Sequence, residues 1–179
     1  MKQSTEPILD APLPETREES EQARRDAATR VKRYQKMAFR GVWQLALFLV
    51  ISLAVQQGVS HLPDFPPSLK HLLGAPPSAT LISGVLILYS FSALVLILGK
   101  MASGGGSFSG FSHLGYLTGF YCFYYVSHSL DENFYAVLAA GLTILSLESY
   151  YVWTWCQERI RHEKQYIVRL DRMREWKHG

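Results

Sequence analysis

Hydrophobic and polar positions are segregated along this chain rather than interleaved. Four mostly apolar stretches, Gly41–Ser60, Ala79–Gly99, Phe111–Leu130 and Asn133–Cys156, stand out, and only the last contains a formal charge, Glu148. Each approaches the roughly 20 residues that a helix needs to cross a hydrocarbon core of about 30 Å, where no water is present to satisfy the backbone. The pattern predicts an all-α fold, an integral membrane four-helix bundle spanning residues 41–156 with helical tails at both ends. The third stretch is the most polar of the four, because it carries Tyr116, Tyr121, Tyr124 and Tyr125 and has His113 and His128 near its ends.

Outside these stretches the pattern changes character. Residues 1–15, with Pro7, Pro12 and Pro14, read as a disordered leader. Thr16 followed by Glu19 has the spacing of a capping box, which satisfies two amide donors at a helix start, so a tail helix is expected over 16–40. No proline occurs from there to Ser60, and one continuous helix is expected to run into the first span. Its stripe Ala23, Ala27, Val31, Tyr34 and Ala38 recurs at helical spacing, which suits docking on a partner, docking on the other tail, or a solvated helix. Residues 157–179 form a basic amphipathic tail in which Ile160, Ile167, Leu170 and Met173 share one side; it either docks on lipid or protein or extends the fourth helix into solvent. Five prolines make 61–77 a stiff connector, Gly104–Gly106 reads as a hinge, and a tight turn is expected at Leu130–Asn133.

Charge sharpens the picture. Residues 1–40 hold nine Lys/Arg and seven Asp/Glu, residues 158–179 hold seven and four, and the 117 residues between hold only Asp64, Lys70, Lys100, Asp131, Glu132 and Glu148. A soluble domain carries roughly a quarter charged residues, so the middle is excluded as an ordinary water-soluble fold. Lys and Arg favour the cytoplasmic side of a membrane protein. With both termini inside, Arg30, Lys32, Arg33, Lys36, Arg40, Lys100, Arg159, Arg161, Lys164, Arg169, Arg172 and Arg174 face the cytoplasm and only Lys70 faces out. Trp43, Trp153 and Trp155 then fall near the inner interface. Forty hydrophilic residues precede the first apolar run, which argues for an uncleaved anchor, and a bacterial inner membrane is the expected site rather than an organelle membrane.

Candidate chemistry is sparse. Cys122 and Cys156 form no C-x-x-C pair and have no His or Cys at ligand spacing, which argues against thiol oxidation and zinc. His113 and His128 lie about 22 Å apart on one helix, a separation similar to that in di-haem membrane cytochromes, but no second helix carries a matching pair. The run Ser109–Gly119 resembles the histidine helix of rhomboid proteases over that run alone; no Gly-x-Ser-Gly precedes it and the glycine spacing differs. Gly115 and Gly119, four apart, and Gly141 on the fourth span are expected helix-packing positions. A carboxylate at mid-span costs about 2–3 kcal/mol on insertion scales, so Glu148 must be neutralised, paired or turned inward. Depth alone places Gln44, Ser92 and Tyr116 near its level. The expected function is that of a non-enzymatic accessory, assembly or regulatory subunit without cofactor or metal. Its expected partners are the bilayer and a membrane protein or a second copy, with no nucleic acid. The alternative is a small oligomeric transporter or channel using Glu148.

Overall fold

The computed structural model describes residues 16–58, 77–104 and 110–176, all helical apart from short caps and turns. The leader, the proline-rich connector and most of the glycine hinge lie outside the described residues. Four helices follow in order: α1 (Arg17–Gly58), α2 (Ala79–Ser103), α3 (Gly110–Val126) and α4 (Leu130–Trp176). Three of the helices, over Glu18–Gly58, Ala79–Ser103 and Leu130–Met173, are long and apolar enough to cross a membrane.

Local chemistry sets the helix ends. Thr16 and Glu19 form the reciprocal capping box: each backbone N–H donates to the other's side-chain oxygen at 3.3 Å. The Ser78 hydroxyl accepts from the Leu81 N–H to start α2, and Gly104, at φ +65°, ends it. The break between α3 and α4 falls at Ser127–Ser129, earlier than the turn expected at Leu130–Asn133. There Ser129 N–H donates to Tyr124 O and His128 N–H to Tyr125 O, with His128 left-handed at φ +55°, a Schellman closure without glycine. Asp131 and Glu132 then occupy the first turn of α4, where acidic side chains favour a helix N-terminus.

The chain divides into two compact units, one made of residues 1–40 and 152–179, the other of residues 41–151. In the terminal unit the small-residue stripe of α1 is buried on α4: Ala27 packs with Tyr166 and Leu170, flanked by Ala23, Ile167 and Met173. Tyr34 meets Trp155 edge-on, with ring centroids 5.7 Å apart, and Arg159 stacks its guanidinium over the same indole. Pairing of Tyr34 with Trp155, Arg30 with Glu163 and Arg24 with Asp171 runs in opposite directions along the two helices, so they are antiparallel.

The apolar unit has its core around Phe48, Leu86, Leu117, Tyr121, Phe134 and Val137. Phe48, Tyr121 and Phe134, from α1, α3 and α4, stack in a column with centroid spacings of 6.2 and 5.5 Å. The tyrosine-rich α3 turns two of its hydroxyls inward: Tyr121 bonds Ser52 of α1 at 2.9 Å and Tyr124 bonds Ser83 of α2 at 2.8 Å. That inward turn satisfies polar groups that an apolar helix surface would leave without partners. The tightest helix approaches involve Gly141, whose added Cβ would strike the Phe48 ring, and Gly41, whose added Cβ would lie 2.9 Å from Ser149 Oγ.

Candidate functional site

The buried stripe of α2 runs Ile82, Leu86, Ala93 and Ile97, and Tyr89 occupies the missing helical step between Leu86 and Ala93. That register turns the Tyr89 ring toward α3, where it meets His113, Tyr116 and Phe120 with centroids 5.7 to 6.0 Å away. The Tyr89 hydroxyl and His113 Nδ1 are 2.7 Å apart, a short hydrogen bond whose direction depends on the imidazole tautomer. Glu148 on α4 is 4% exposed. Tyr151 donates its hydroxyl hydrogen to the Lys100 carbonyl at 3.0 Å, covering a free acceptor at the end of α2. Two helices thus bring a phenol and an imidazole into hydrogen-bonding contact inside an apolar unit, and a third carries the buried carboxyl of Glu148.

The residues expected to surround Glu148 divide. Gln44 is buried on α1. Ser92 is exposed and returns its hydroxyl to the Leu88 carbonyl of its own helix. Tyr116 is exposed, although its ring packs edge-on against Tyr89. Gly141 sits against Phe48, whereas a Cβ at Gly115 or Gly119 meets no atom within 4 Å. Counting depth does not bring Tyr89 and His113 together, because depth gives a residue's level in a bundle and not the side of the helix it faces. The α2 stripe was the available signal for Tyr89; for His113 no pattern in its own helix marks the inward side.

The terminal unit holds the other polar feature. Glu163 is 1% exposed and accepts from Arg30 Nε at 2.7 Å and Nη2 at 3.1 Å, a bidentate pair. That hydrogen bonding raises the Arg30 pKa above its ordinary range. Among the described residues no three His, Cys, Asp or Glu side chains gather as metal ligands, and Cys122 and Cys156 are free thiols. The Tyr89 and His113 pair can hold or pass a proton and offer hydrogen bonds. No protein family, curated protein or solved structure matches this chain.

Proposed function

We propose that this is a multi-pass membrane protein with four crossings and both termini in the cytoplasm of a bacterial cell, acting as an accessory, assembly or regulatory subunit. The observation that carries the topology is the Arg30–Glu163 pair: the start of α1 and the end of α4 share one side of the membrane, so the number of crossings between them is even. Three helices are long and apolar enough to cross, and α3, with 17 residues and about 25 Å of length, supplies the fourth. The basic residues around that pair favour the cytoplasm for this side.

The outward faces support a subunit role. Ile87, Leu88 and Phe91 on one side of α2 are each about two-thirds exposed, surface that lipid or a neighbouring protein must cover. The test of topology is a pair of reporters, one fused after Gly179 and one inserted near Pro67, which should report opposite sides. The test of the subunit role is purification of the tagged full chain in mild detergent. A stoichiometric partner or a defined oligomer is expected, and a monodisperse monomer would defeat it. A second reading, transport, rests on the burial of Glu148 in a unit that also holds the Tyr89–His113 hydrogen bond. It predicts proton or cation flux in reconstituted vesicles that Glu148→Gln abolishes.

A further inference from the structure

From Ala27 to Pro63 the sequence contains no Asp or Glu, while Arg30, Lys32, Arg33, Lys36 and Arg40 crowd near the start of that segment. Arg30 turns to Glu163 on α4; Lys32, Arg33, Lys36 and Arg40 are exposed. At about 100° per residue, Lys36 lies opposite Ala27, the residue buried against Tyr166 and Leu170, and Lys32, Arg33 and Arg40 lie within about 60° of Lys36. These cations therefore share the side of α1 turned away from α4, over about 12 Å of helix. Helix α1 continues without a break to Gly58, and on that same side Trp43, Leu47 and Val50 follow, all exposed. Charge ends where apolar surface begins.

We propose that this side of α1 is a docking site for anionic phospholipid, with headgroup phosphate held among Lys32, Arg33, Lys36 and Arg40 and acyl chain lying along Trp43, Leu47 and Val50. A phospholipid is negative at one end and apolar at the other in that same order, and Trp43 falls between the two, at the headgroup level that an indole favours. An acidic soluble protein would answer the charges and leave the apolar residues uncovered, and an apolar partner helix would do the reverse. The positive-inside rule sets how many basic residues lie on one side of a membrane, not which side of a helix they share. Helix α4 supplies the contrast. Its Arg161, Lys164 and Arg172 are also exposed, but Glu158, Glu163 and Asp171 are interleaved with them, and Arg172 stands about 24 Å along the helix from Cys156, where the apolar stretch ends. The inference rests on the membrane location proposed above and is independent of the subunit role.

The experiment reconstitutes the full chain in phosphatidylcholine vesicles with a minor fraction of phosphatidylglycerol. Tryptophan quenching is compared with bromine on the acyl chains of one lipid and then of the other, which gives the association of phosphatidylglycerol relative to phosphatidylcholine. A ratio of at least about three is expected. Lys32→Gln, Arg33→Gln, Lys36→Gln and Arg40→Gln together should bring it to about one, and the milder pair Lys36→Gln and Arg40→Gln, which keeps the proposal testable if the fuller variant fails to fold, should about halve it. Arg33→Lys with Arg40→Lys should preserve it. The combination Arg161→Gln, Lys164→Gln and Arg172→Gln is the control for general charge and should leave it unchanged. A parent ratio near one overturns the proposal, and so does equal loss in the α4 control or a parental ratio in the α1 variants. A parent ratio near one, with a soluble polyglutamate peptide that binds the parent and not the α1 variants, assigns these cations to an acidic protein and has the same consequence. Flotation is read first. A chain that does not float with the vesicles defeats the membrane reading and the site with it, whereas one that floats and shows no headgroup preference defeats this site alone.

Discussion

The terminal unit and the apolar unit join helices by different means. In the terminal unit a stripe of small residues on α1 meets Tyr166 and Leu170 on α4, and a bidentate Arg30–Glu163 pair sets the register. In the apolar unit the joints are a column of rings, two tyrosine–serine hydroxyl pairs and glycines pressed against neighbouring side chains. Where the surroundings are water, burying an apolar stripe is itself a driving force and a charged pair needs only to choose the alignment. Where the surroundings are hydrocarbon, as proposed for residues 41–151, Leu and Ile are as content outside as inside. Close approach and polar pairing must then distinguish the native packing.

The largest effect is expected at the tightest joint. Gly141→Leu forces the Phe48 ring out of its place and should cost about 3 kcal/mol or more, seen as a collapse of folded yield and a lower thermal midpoint in detergent. Gly84→Leu, at a position where a Cβ meets nothing within 4 Å, is the matched control and should leave the midpoint near the parent value. Equal losses in the two variants would show that close approach is not what holds the apolar unit.

Next is Glu163→Ala, which leaves the Arg30 guanidinium without its bidentate acceptor. Arg30 is 39% exposed, so water recovers part of the loss, and about 2 kcal/mol is expected rather than the full cost of a stranded buried charge. The effect should be local: faster proteolysis within 17–40, with the detergent midpoint of the apolar unit little changed. Glu163→Gln, which still accepts, should restore part of the protection. The raised Arg30 pKa contributes stability that is present below its unfolded value and lost only as pH climbs through the folded one, so the guanidinium stays charged in neutral and mildly alkaline buffers.

Glu148 gives a smaller and more diagnostic effect. Glu148→Gln keeps hydrogen-bonding capacity at nearly the same volume and should fold normally, whereas Glu148→Leu should cost about 1–2 kcal/mol by stranding neighbouring polar groups. If Leu were as well tolerated as Gln in the detergent midpoint, polar pairing would not be a determinant of the apolar unit. The smallest effect is a gain. His128 holds a left-handed backbone at φ +55°, and His128→Gly should raise the midpoint by the equivalent of less than about 1 kcal/mol. A fall instead would mean that the imidazole itself makes a contact that outweighs the backbone relief.

The amino-acid sequence by itself determined the helices and their limits wherever the signal is local. Thr16 and Glu19 announced the start of α1 and the absence of proline through Gly58 its continuity, whereas α2 runs past the expected Gly99 limit to Ser103, just before the glycine hinge. Its stretches of near-uniform apolarity also announced helices long and apolar enough to cross a membrane, three of which the structure contains. The α3–α4 break falls about three residues before the turn that the sequence predicts, because a histidine rather than a glycine takes the left-handed position and nothing in composition marks it. Tertiary structure alone decided which faces meet. It turned Tyr89 and His113 toward each other, left Ser92 and Tyr116 outside, gave the close approaches to Gly41 and Gly141 rather than to Gly115 and Gly119, and paired Arg30 with a residue 133 positions away. The physical reason is that a helix apolar on every side carries no amphipathic stripe to say where inward lies, so its orientation is written only in the shapes and hydrogen bonds of the helices it meets.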